Sequence, residues 1–419
     1  MHHFQHRPDG LYCEGVSVAR IAAEVGTPVY IYSHATLTQH FQALDDAFSS
    51  VPHLICFAVK ANANLAVLKH FADLGGGLDV VSGGELYRGL AARVPPERIV
   101  YAGVGKTRAE IAYALKSDVL MFNVESDQEL HLLSAIASDM GCKARVALRV
   151  NPDVDPKTHP YISTGLKQSK FGIDIGRALK EYEVAKGLPA LEVVGIHQHI
   201  GSQITHVQPF VDSLTRTVDL VRRLREQGTA IQYLDIGGGL GIAYNDETPP
   251  LPREFAQALI HVIRDLGATV ILEPGRVLVG NAGVLVTRVL YTKQSPAKNF
   301  VVVDAGMNDL ARPSLYGSYH AIWRVHRVPE RDEITVDVVG PICESGDFLA
   351  KDRVLARFEP GELMAVMSAG AYAHTMSSNY NARPRAPEVM VRGNRYSVVR
   401  ERETYADLIR GERILEEAD

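Results

Sequence analysis

Lys60 is the residue whose type and setting point most directly to chemistry. It follows the continuous apolar run 54–59, which is typical of a buried strand in a parallel sheet. Lysine is rarely buried without a partner, and a desolvated lysine gives up its proton readily, which frees an amine that can form an imine with an aldehyde cofactor. The alternative is an ordinary lysine just past the strand, in water, and the hexapeptide 57–62 by itself favours that alternative.

Glycines 237–239 and Glu273 follow two later apolar runs. Glycine amides can approach an anion closely, and loops after the last two strands of a barrel often hold phosphate, although 237–241 could also be only a tight turn. A carboxylate at the end of a buried strand, such as Glu273, must be paired or hydrogen-bonded. It could hold a proton on a pyridine-type nitrogen, or it could form an ion pair with Arg276.

His197 and His199 end another apolar run and share one face by the alternation of a strand. With His206 nearby, a metal site is conceivable. No third ligand has a convincing spacing, so we predict no metal. Two interpretations remain open for these histidines, namely a ring that stacks on a flat cofactor and a hydrogen-bonded core histidine.

Cys343 lies in a loop among proline and glycine residues. A lone cysteine is usually a small buried hydrophobe, but this loop suits a surface or cleft position better. The acidic neighbours Glu344 and Asp347 favour the protonated thiol, so Cys343 could serve as a proton donor. Loop residues that could be turn residues or contacts to carboxylate and phosphate groups are Arg312, Tyr316 and Tyr372.

The elements that must position these residues follow a regular alternation. Apolar, β-branched runs occur at 54–59, 78–81, 99–101, 119–122, 145–150, 191–196, 233–236 and 269–272. Helical patterns lie between them, for example at 84–91, 108–115, 127–137 and 209–225, after a first helix from His34 to about Phe48 with Ser33 as its N-cap. No Gly-x-Gly-x-x-Gly opens a helix after the first run, which disfavours a doubly wound open sheet. The alternation therefore predicts an α/β fold with a (β/α)8, TIM-like barrel.

Such a barrel gathers the carboxyl ends of its strands at one face, where the chemistry is expected. The residues brought together there would be Lys60, Asp79, Asn123, Asn151, His199, the glycines 237–239 and Glu273. Each of these signals is weak alone, and their convergence is the strongest indication in the chain.

Past residue 274 the pattern changes to strands without long helices between them. These strands are predicted at 284–291, 300–303, 333–339, 363–367 and 389–391. We predict a C-terminal all-β domain that also takes up the N-terminal strands. The expected boundaries are 34–275 for the barrel and 1–33 with 276–419 for the β domain, which could end in a short helix within 404–417.

Composition excludes several classes of function. The chain has 419 residues, 22% of them charged, and a net charge of -5, so no basic surface for nucleic acid is expected. No apolar run approaches the roughly 20 residues that span a bilayer, and residues 1–7 lack the apolar region of a signal peptide. The cysteines 13, 56, 142 and 343 lack metal or disulfide spacing, which predicts reduced thiols in a cytoplasmic protein.

Together, several of these motifs resemble the alanine-racemase-type (fold type III) pyridoxal-phosphate decarboxylases, and within them the diaminopimelate decarboxylase group most closely. The motifs that carry the resemblance are Val-Lys-Ala-Asn at 59–62, His-Gln-His-Ile-Gly-Ser-Gln at 197–203, Gly-Gly-Gly-Leu-Gly at 237–241, Glu-Pro-Gly-Arg at 273–276, Arg-Pro at 312–313 and Cys-Glu-Ser-Gly-Asp at 343–347. They occur in the family's order and cover about 28–380. The related ornithine decarboxylases carry an aspartate where Glu344 stands here.

The resemblance implies roles for individual residues. Lys60 would form the imine with pyridoxal 5'-phosphate, Glu273 would keep the pyridine nitrogen protonated, and His199 would stack on the ring. Cys343 would protonate the carbanion from the partner subunit of a homodimer with shared active sites. Further residues implied to contact the cofactor, several of them its phosphate, are Asp79, Ser202, Gly238, Gly239, Gly275, Arg276 and Tyr372. Residues implied to bind the substrate are Arg276, Arg312, Tyr316, Glu344 and Tyr372.

One departure from many relatives is Gln198, which stands where they have a smaller residue. It should point away from the face that His199 uses, so we expect little effect.

The implied reaction is decarboxylation of meso-2,6-diaminopimelate to L-lysine. A substrate without the distal carboxylate would leave Arg276 and Arg312 unpaired, which disfavours lysine or ornithine. Another amino acid or a carboxylated polyamine precursor stays open as substrate, because the loop 168–172 could reshape the pocket. A catalytically dead relative is disfavoured by the presence of Lys60 and Cys343, and a racemase by Cys343 in place of a tyrosine as the second acid.

Overall fold

The fold is taken from a computed structural model that describes residues 2–156, 158–162, 164–165, 170–329 and 331–415. The chain divides into two compact units. One unit is Leu37–Gly280, and the other combines Met1–Thr36 with Asn281–Asp419.

The unit Leu37–Gly280 contains a closed barrel of eight parallel strands, counted over the described residues. In chain order the strands are His53–Ala58, Gly77–Val80, Ile99–Tyr101, Met121–Val124, Ala144–Asn151, Leu191–His197, Tyr233–Asp235 and Thr269–Leu272. The eighth strand pairs with the first, which closes the barrel. A short strand, Ile173–Asp174, adds to the fifth. The predicted barrel is confirmed.

Helices alternate with these strands. They are His34–Phe48, Leu65–Asp73, Gly83–Ala91, Arg108–Lys116, Asp127–Asp139, Ala178–Gly187, Gln208–Glu226, Pro252–Ile263 and Arg276–Val279. Asn64, Ser82, Thr107 and Ser126 cap the helices that follow the first four strands by accepting backbone N–H groups. These caps begin each helix a few residues after its strand, which keeps the connecting loops short and fixes the strand ends.

The barrel interior is apolar below the strand ends and polar at them. A buried cluster is formed by Cys56, Val100, Leu120, Met121, Ala147, Val194 and Ile271. Two residues further along three of those strands stand Asn123, Arg149 and Glu273, which therefore project from the same face. An apolar layer of the barrel interior thus lies directly below the polar residues at the strand ends.

The second unit is dominated by a large, mixed β-sheet. Its strands, in spatial order, are Phe348–Ala356, Glu333–Val339, Asn299–Val303, Gly283–Gln294, Val29–Ser33, Glu388–Arg392 and Arg395–Arg400. Leu363–Val366 pairs with both Gly283–Gln294 and Ile322–Arg324. The N-terminal strand lies between Gly283–Gln294 and Glu388–Arg392, so the prediction that the β domain takes up N-terminal strands is confirmed.

The remaining elements of this unit are small. They are the strands Phe4–Arg7, Gly10–Cys13 and Val16–Ser17 and the helices Val18–Val25, Arg312–Tyr316 and Tyr405–Leu408. Single 3-10 turns over both units are Val59–Ala61, Pro96–Arg98, Pro160–Ile162, Gly280–Ala282, His374–Met376 and Tyr380–Ala382.

Two predictions about this unit needed correction. The predicted strands did not include Ile322–Arg324, Phe348–Ala356 or Arg395–Arg400, and in Phe348–Ala356 the charged run 351–353 interrupts the apolar pattern. The last helix is shorter than 404–417, since it ends at Leu408 and Gly411 then takes a left-handed conformation with φ 87°. Residues 416–417 of the predicted helix lie outside the described residues.

In the part of the chain that the structure describes, no helix is both long enough and apolar enough to cross a membrane. The four cysteines are free thiols, buried at Cys13 and Cys56 and exposed at Cys142 and Cys343.

Candidate active site

Lys60 stands at the mouth of the barrel with a buried acidic partner. It lies in the turn Val59–Ala61, directly after the first strand, and its Nζ forms an ion pair with Asp79 Oδ2 at the end of the second strand. The Asp79 side chain is 0% exposed, whereas that of Lys60 is 39% exposed. The amine is therefore paired with a buried carboxylate, and the side chain that carries it is partly accessible.

The Asp79 carboxyl lies among other acidic groups. Burial raises its pKa, Glu273 raises it further, and Lys60 opposes both effects. Asp79 Oδ1 has no hydrogen-bond partner among the described residues, although it is fully buried. A buried carboxylate oxygen without a donor is uncommon and indicates a place where a polar ligand atom could be received.

Glu273 ends the eighth strand and contacts two side chains from other strands. Its Oε1 accepts a hydrogen bond from Asn123 Nδ2 at 3.2 Å, and its Oε2 lies 3.4 Å from His197 Nε2. Burial alone would raise the pKa of Glu273, but His197 and then Lys60 bring it below its usual value. Glu273 is therefore an anion in the barrel interior, and it is not the ion-pair partner of Arg276 that was considered from sequence.

Asp235 is a second carboxyl group beside Glu273, at the end of the seventh strand. It accepts hydrogen bonds from Asn123 Nδ2 at 3.0 Å and from Gly237 N at 2.9 Å. Burial, reinforced by Glu273, raises its pKa well above the usual value. Asp235 was not predicted as a site residue, although a charged residue inside the apolar run 233–236 is a signal that could have indicated it.

His199 is half-buried beside the glycine loop. Its Nδ1 accepts the N–H of Gly238 at 3.2 Å. Burial, followed by the nearby Arg149 guanidinium, holds the pKa of His199 well below its usual value, so the ring is neutral. A neutral ring with one nitrogen fixed by a backbone donor is held in one orientation, which suits the predicted stacking role.

The buried His197 side chain lies next to Glu273 in the barrel interior, whereas the His206 side chain is exposed. The ligand atoms of His197, Asp235 and Glu273 lie within 4.8 Å of one another. Among the described residues, His197, His199 and His206 thus do not form the group of metal ligands that was considered from the sequence.

The glycine loop is required by close packing. A Cβ on Gly238 would lie 2.1 Å from the carbonyl oxygen of Glu273, and one on Gly239 would lie 2.4 Å from that of Gly201. Gly239 also has a φ of 116°, which L-residues with side chains rarely adopt. The glycines therefore let the ends of the sixth, seventh and eighth strands meet, in addition to the phosphate role predicted for them.

Arg276 lies at the other side of this loop. Its Nη2 donates to Ser202 Oγ at 3.0 Å and its Nη1 donates to Tyr244 Oη at 2.7 Å. Gly275 precedes the short helix Arg276–Val279 as its N-cap. Ser202 and Arg276 thus form a cationic corner with hydroxyl and amide donors, which is the chemistry that binds phosphate.

Gln198, the one departure from relatives, points outwards as expected. Its Oε1 accepts hydrogen bonds from Ser213 Oγ at 2.8 Å and from Thr217 Oγ1 at 2.5 Å, both on the helix Gln208–Glu226. The segment 168–172, which could reshape the pocket, lies partly outside the described residues, at 168 and 169.

The other predicted site residues belong to the β unit. Arg312 is buried, with Nη1 3.2 Å from His320 Nε2 and Nη2 donating to Ser318 Oγ at 3.2 Å. Tyr316 ends the same short helix and is half-buried. Tyr372 is half-buried with a left-handed backbone, φ 55°.

Cys343 and Glu344 are both exposed, in a loop held by hydrogen bonds. The Cys343 backbone N–H donates to Asn381 Oδ1 at 2.7 Å, and Tyr380 Oη donates to Glu344 Oε2 at 2.8 Å. Ser314 Oγ donates to the carbonyl oxygen of Gly346 at 2.5 Å, which ties the helix Arg312–Tyr316 to this loop. Asn381 and Tyr380 were missed from sequence, because no local pattern links them to a loop almost forty residues earlier.

Asp347 has a role that the sequence did not indicate. Its carboxylate is buried and accepts the backbone N–H of Ile342 at 2.7 Å and of Met307 at 2.6 Å. It therefore anchors the start of the Cys343 loop to a neighbouring segment.

The barrel residues fit the pyridoxal 5'-phosphate that the resemblance implies. The amine of Lys60 can react with the cofactor's aldehyde. The buried anion of Glu273 has the charge that suits its protonated ring nitrogen, and the cationic corner at Arg276 has the charge that suits its phosphate. The partnerless Asp79 Oδ1 is a further acceptor within the same wall. Each group of the cofactor thus finds a residue of complementary chemistry within the unit Leu37–Gly280.

Comparison with known proteins gives consistent results. A family model described as "Pyridoxal-dependent decarboxylase, pyridoxal binding domain" matches residues 34–280. The diaminopimelate decarboxylase of Aquifex aeolicus is 52% identical over 404 residues, which cover 96% of each chain. That of Vibrio cholerae is 50% identical over 421 residues and 100% of each chain. The crystal structure of the Helicobacter pylori diaminopimelate decarboxylase complexed with L-lysine has a TM-score of 0.90 at 42% identity, covering 94% of this chain and 98% of that one. The resemblance stated from the sequence motifs is confirmed.

Proposed function

Since the chain belongs to the pyridoxal-dependent decarboxylases, we propose that it converts meso-2,6-diaminopimelate to L-lysine and carbon dioxide, the last step of lysine biosynthesis. It is then a carboxy-lyase that uses pyridoxal 5'-phosphate. The observation that carries the assignment is the convergence of the Lys60–Asp79 pair with the buried anion of Glu273, in a chain about half identical over its full length to diaminopimelate decarboxylases.

When bound, pyridoxal phosphate supplies an electron-accepting ring that takes up the electron pair left behind when carbon dioxide departs. Lys60 offers the amine that holds the cofactor, and Asp79 keeps that amine oriented through its ion pair. Glu273 is preorganised as an anion by Asn123 and His197, so it can keep a proton on a ring nitrogen without reorganising.

Two further residues act on the reaction. The neutral His199, fixed by the Gly238 N–H, offers a flat face for stacking and adds no charge of its own beside the ring. Cys343 is the proposed acid, and its Sγ would deliver the proton that replaces the lost carboxylate. Its exposed side chain is compatible with approach to a substrate.

Substrate choice is proposed to depend on the end of the substrate that does not react. Arg312 is a buried cation that contacts His320 and Ser318, and its planar guanidinium is the group that binds a substrate carboxylate best. Glu344, oriented by Tyr380, offers an anion for the distal ammonium. Lysine or ornithine would lack the carboxylate and would not form this charged hydrogen bond, which is worth about 1.5–3 kcal/mol.

A substrate panel tests the assignment. Purified enzyme loaded with cofactor is assayed for carbon dioxide release from meso-diaminopimelate, L-lysine, L-ornithine and a carboxylated polyamine precursor. We expect release from meso-diaminopimelate only, with L-lysine as the product. Release from lysine or ornithine but not from diaminopimelate would refute the proposal, and so would a protein that binds cofactor but acts on none of the four.

We further propose a homodimer with shared active sites. The support is the resemblance, in which the acid at Cys343 comes from the partner subunit. Mixing the inactive Lys60→Ala and Cys343→Ala variants under conditions of subunit exchange should then restore part of the activity. A monomer in sedimentation, or no recovery after demonstrated exchange, would contradict this.

We also propose that the enzyme works in the cytoplasm. The support is its use of cysteine, since all four thiols are free. Fractionation of the source cells, with the enzyme detected by antibody, checks it, and recovery outside the cytoplasmic fraction would overturn it.

A further inference from the structure

Asp235 and Glu273 form a pair of adjacent carboxyl groups at the bottom of the site. One amide nitrogen, Asn123 Nδ2, donates to both, to Asp235 Oδ2 at 3.0 Å and to Glu273 Oε1 at 3.2 Å. Asp235 and Glu273 are 0% and 6% exposed. Ligand atoms of the two residues and of His197 lie within 4.8 Å of one another. This spacing lets three side chains share a single ion, either a proton or a metal cation.

The charges around the pair favour a shared proton. The titratable groups that act on the pair are Asp79 from the second strand, Lys60 after the first, His197 and His199 from the end of the sixth and, more distantly, the Cys56 thiol. Lys60 is already engaged by Asp79. Two carboxylates this close in a buried region repel each other strongly, so one of them must be neutral.

The hydrogen-bond geometry decides which group keeps the charge. Glu273 has His197 against one oxygen and the Asn123 amide against the other, and it lies within the influence of Lys60. Asp235 faces the Asn123 amide, the Gly237 N–H and Glu273, and no cation contacts it in the described part of the chain. Burial raises the pKa of Asp235 and the surroundings lower that of Glu273, which agrees with this division.

We propose that Asp235 is a neutral carboxylic acid that keeps its proton and donates a hydrogen bond to Glu273, and that it is a positioning residue that fixes Glu273 as the anion facing the ring nitrogen of the cofactor. Asn123 holds the two groups in register. The inference rests on the role proposed for Glu273 and adds a residue to which neither the sequence motifs nor the resemblance assigned a function.

Infrared spectroscopy of the holoenzyme tests the protonation state directly. A difference spectrum between wild type and Asp235→Asn at pH 8 should contain the carbonyl band of a protonated carboxyl, shifted in D₂O. Asp265→Asn, at an exposed aspartate of the same unit, is the matched control and should give no such band. If the wild-type minus Asp235→Asn spectrum instead shows only ionised carboxylate bands, Asp235 is an anion and the proposal is overturned. If Asp235→Asn does not fold, Asp235→Ser gives the same comparison with a smaller neutral donor.

Cofactor affinity tests the positioning role without turnover. Asp235→Asn keeps a donor for Glu273, so its dissociation constant for pyridoxal phosphate should stay within about 3- to 10-fold of wild type, the value of one neutral hydrogen bond. Asp235→Ala removes the donor from a buried anion and should weaken binding by about 10- to 100-fold. Equal affinity of Asp235→Ala and wild type would overturn the positioning role.

The metal content of the purified protein distinguishes a shared proton from a shared metal cation. Stoichiometric metal in the purified wild type that is lost in Asp235→Asn would overturn the proposal, because the three groups would then share a cation. These readouts need no substrate, so they can fail while the substrate panel succeeds, and the reverse.

Discussion

The barrel end and the Cys343 loop prepare chemical groups in opposite ways. At the barrel end the reactive groups are surrounded by protein, and burial with neighbouring charges decides which of them is ionised, as at Glu273 and Asp235. In the loop, Cys343 and Glu344 are exposed, and their hydrogen bonds to Asn381 and from Tyr380, respectively, determine where they lie. The barrel end controls which side chains are ionised, and the Cys343 loop controls where its side chains lie.

This difference has consequences for substitution. A change at the barrel end alters the electrostatics of several residues at once, because they share donors such as Asn123. A change in the loop should act on one group and leave the others unchanged. The predictions below test that contrast, from the largest expected effect to the smallest.

Lys60→Ala should abolish the function of the barrel end. The variant loses the amine that holds the cofactor, and it leaves Asp79 as an unpaired buried carboxyl. We expect activity to fall by at least about 10³-fold and the absorbance band of the bound cofactor to disappear. Lys69→Ala, at an exposed lysine paired only at the surface with Asp73, is the control and should change neither. A Lys60→Ala variant that keeps the band would show that the cofactor is held elsewhere.

Cys343→Ala should abolish proton delivery and leave the barrel end intact. We expect kcat to fall by about 10²–10⁴-fold, the usual contribution of a general acid. The absorbance spectrum and affinity of the cofactor should be unchanged, because the residue belongs to the other unit. Cys142→Ala, at the other exposed thiol, is the control and should have wild-type kinetics. Loss of cofactor binding in Cys343→Ala would contradict the separation between charge and position.

Arg312→Met should weaken binding of the distal carboxylate of the substrate. Removing a buried charged donor should raise KM for meso-diaminopimelate by about 10- to 100-fold, with a smaller effect on kcat. Steady-state kinetics measures both constants. Arg222→Met, at an exposed arginine on a barrel helix, should leave both unchanged. An unchanged KM in Arg312→Met would remove this residue from the substrate site.

Tyr380→Phe should loosen Glu344 and nothing else. It deletes the hydroxyl that donates to the Glu344 carboxylate, so kcat/KM should fall by about 3- to 10-fold, with the thermal stability preserved. Tyr405→Phe removes a hydroxyl from a tyrosine that is 80% exposed and should have no effect. A loss of activity above about 100-fold in Tyr380→Phe would mean that the loop, like the barrel end, acts as one coupled network.

Glu85→Gln should flatten the pH dependence of stability that originates at the barrel end. Burial raises the pKa of Glu85 to about 7, above its usual 4.5, so the folded state prefers the neutral acid. The associated stability is fully present below pH 4.5 and is lost as the pH rises through 7, by at most about 3 kcal/mol. Thermal unfolding of the holoenzyme at pH 5 and pH 8 measures this. The glutamine stays neutral, so the variant should lose less stability than wild type over this range; an equal loss would place the titration elsewhere.

The barrel could be predicted from the sequence because its apolar runs and helical patterns repeat in a regular way. Two strands, Ile99–Tyr101 and Thr269–Leu272, have the predicted bounds, and the others begin or end within two residues of them. Lys60, Asp79 and Glu273 could be assigned to the site because they follow strand ends, and the carboxyl ends of parallel strands meet at one face of the barrel.

Other parts required coordinates. The charged Asp235 within an apolar run could have been noticed, but its place beside Glu273 depends on the register between two strands, which the residues of either strand alone do not specify. Asn381 and Tyr380 were missed because side-chain contacts between distant loops leave no periodic signal. Asp347 was considered only as an acidic neighbour of Cys343, because the hydrogen bonds of its carboxylate to the backbone N–H groups of Met307 and Ile342 leave no pattern in the sequence.

The place of Val29–Ser33 in the β-sheet has a consequence for biosynthesis. This strand is made early, yet its parallel neighbour Glu388–Arg392 is made almost last, so it cannot be paired on both sides until the ribosome has nearly finished the chain. All the barrel strands have been synthesised well before then, so the barrel can fold first. One edge of Val29–Ser33 stays unpaired during that time. Nascent chains should therefore depend on a chaperone late in synthesis, and a premature stop that removes Glu388–Arg392 should leave the N-terminal segment open to proteolysis.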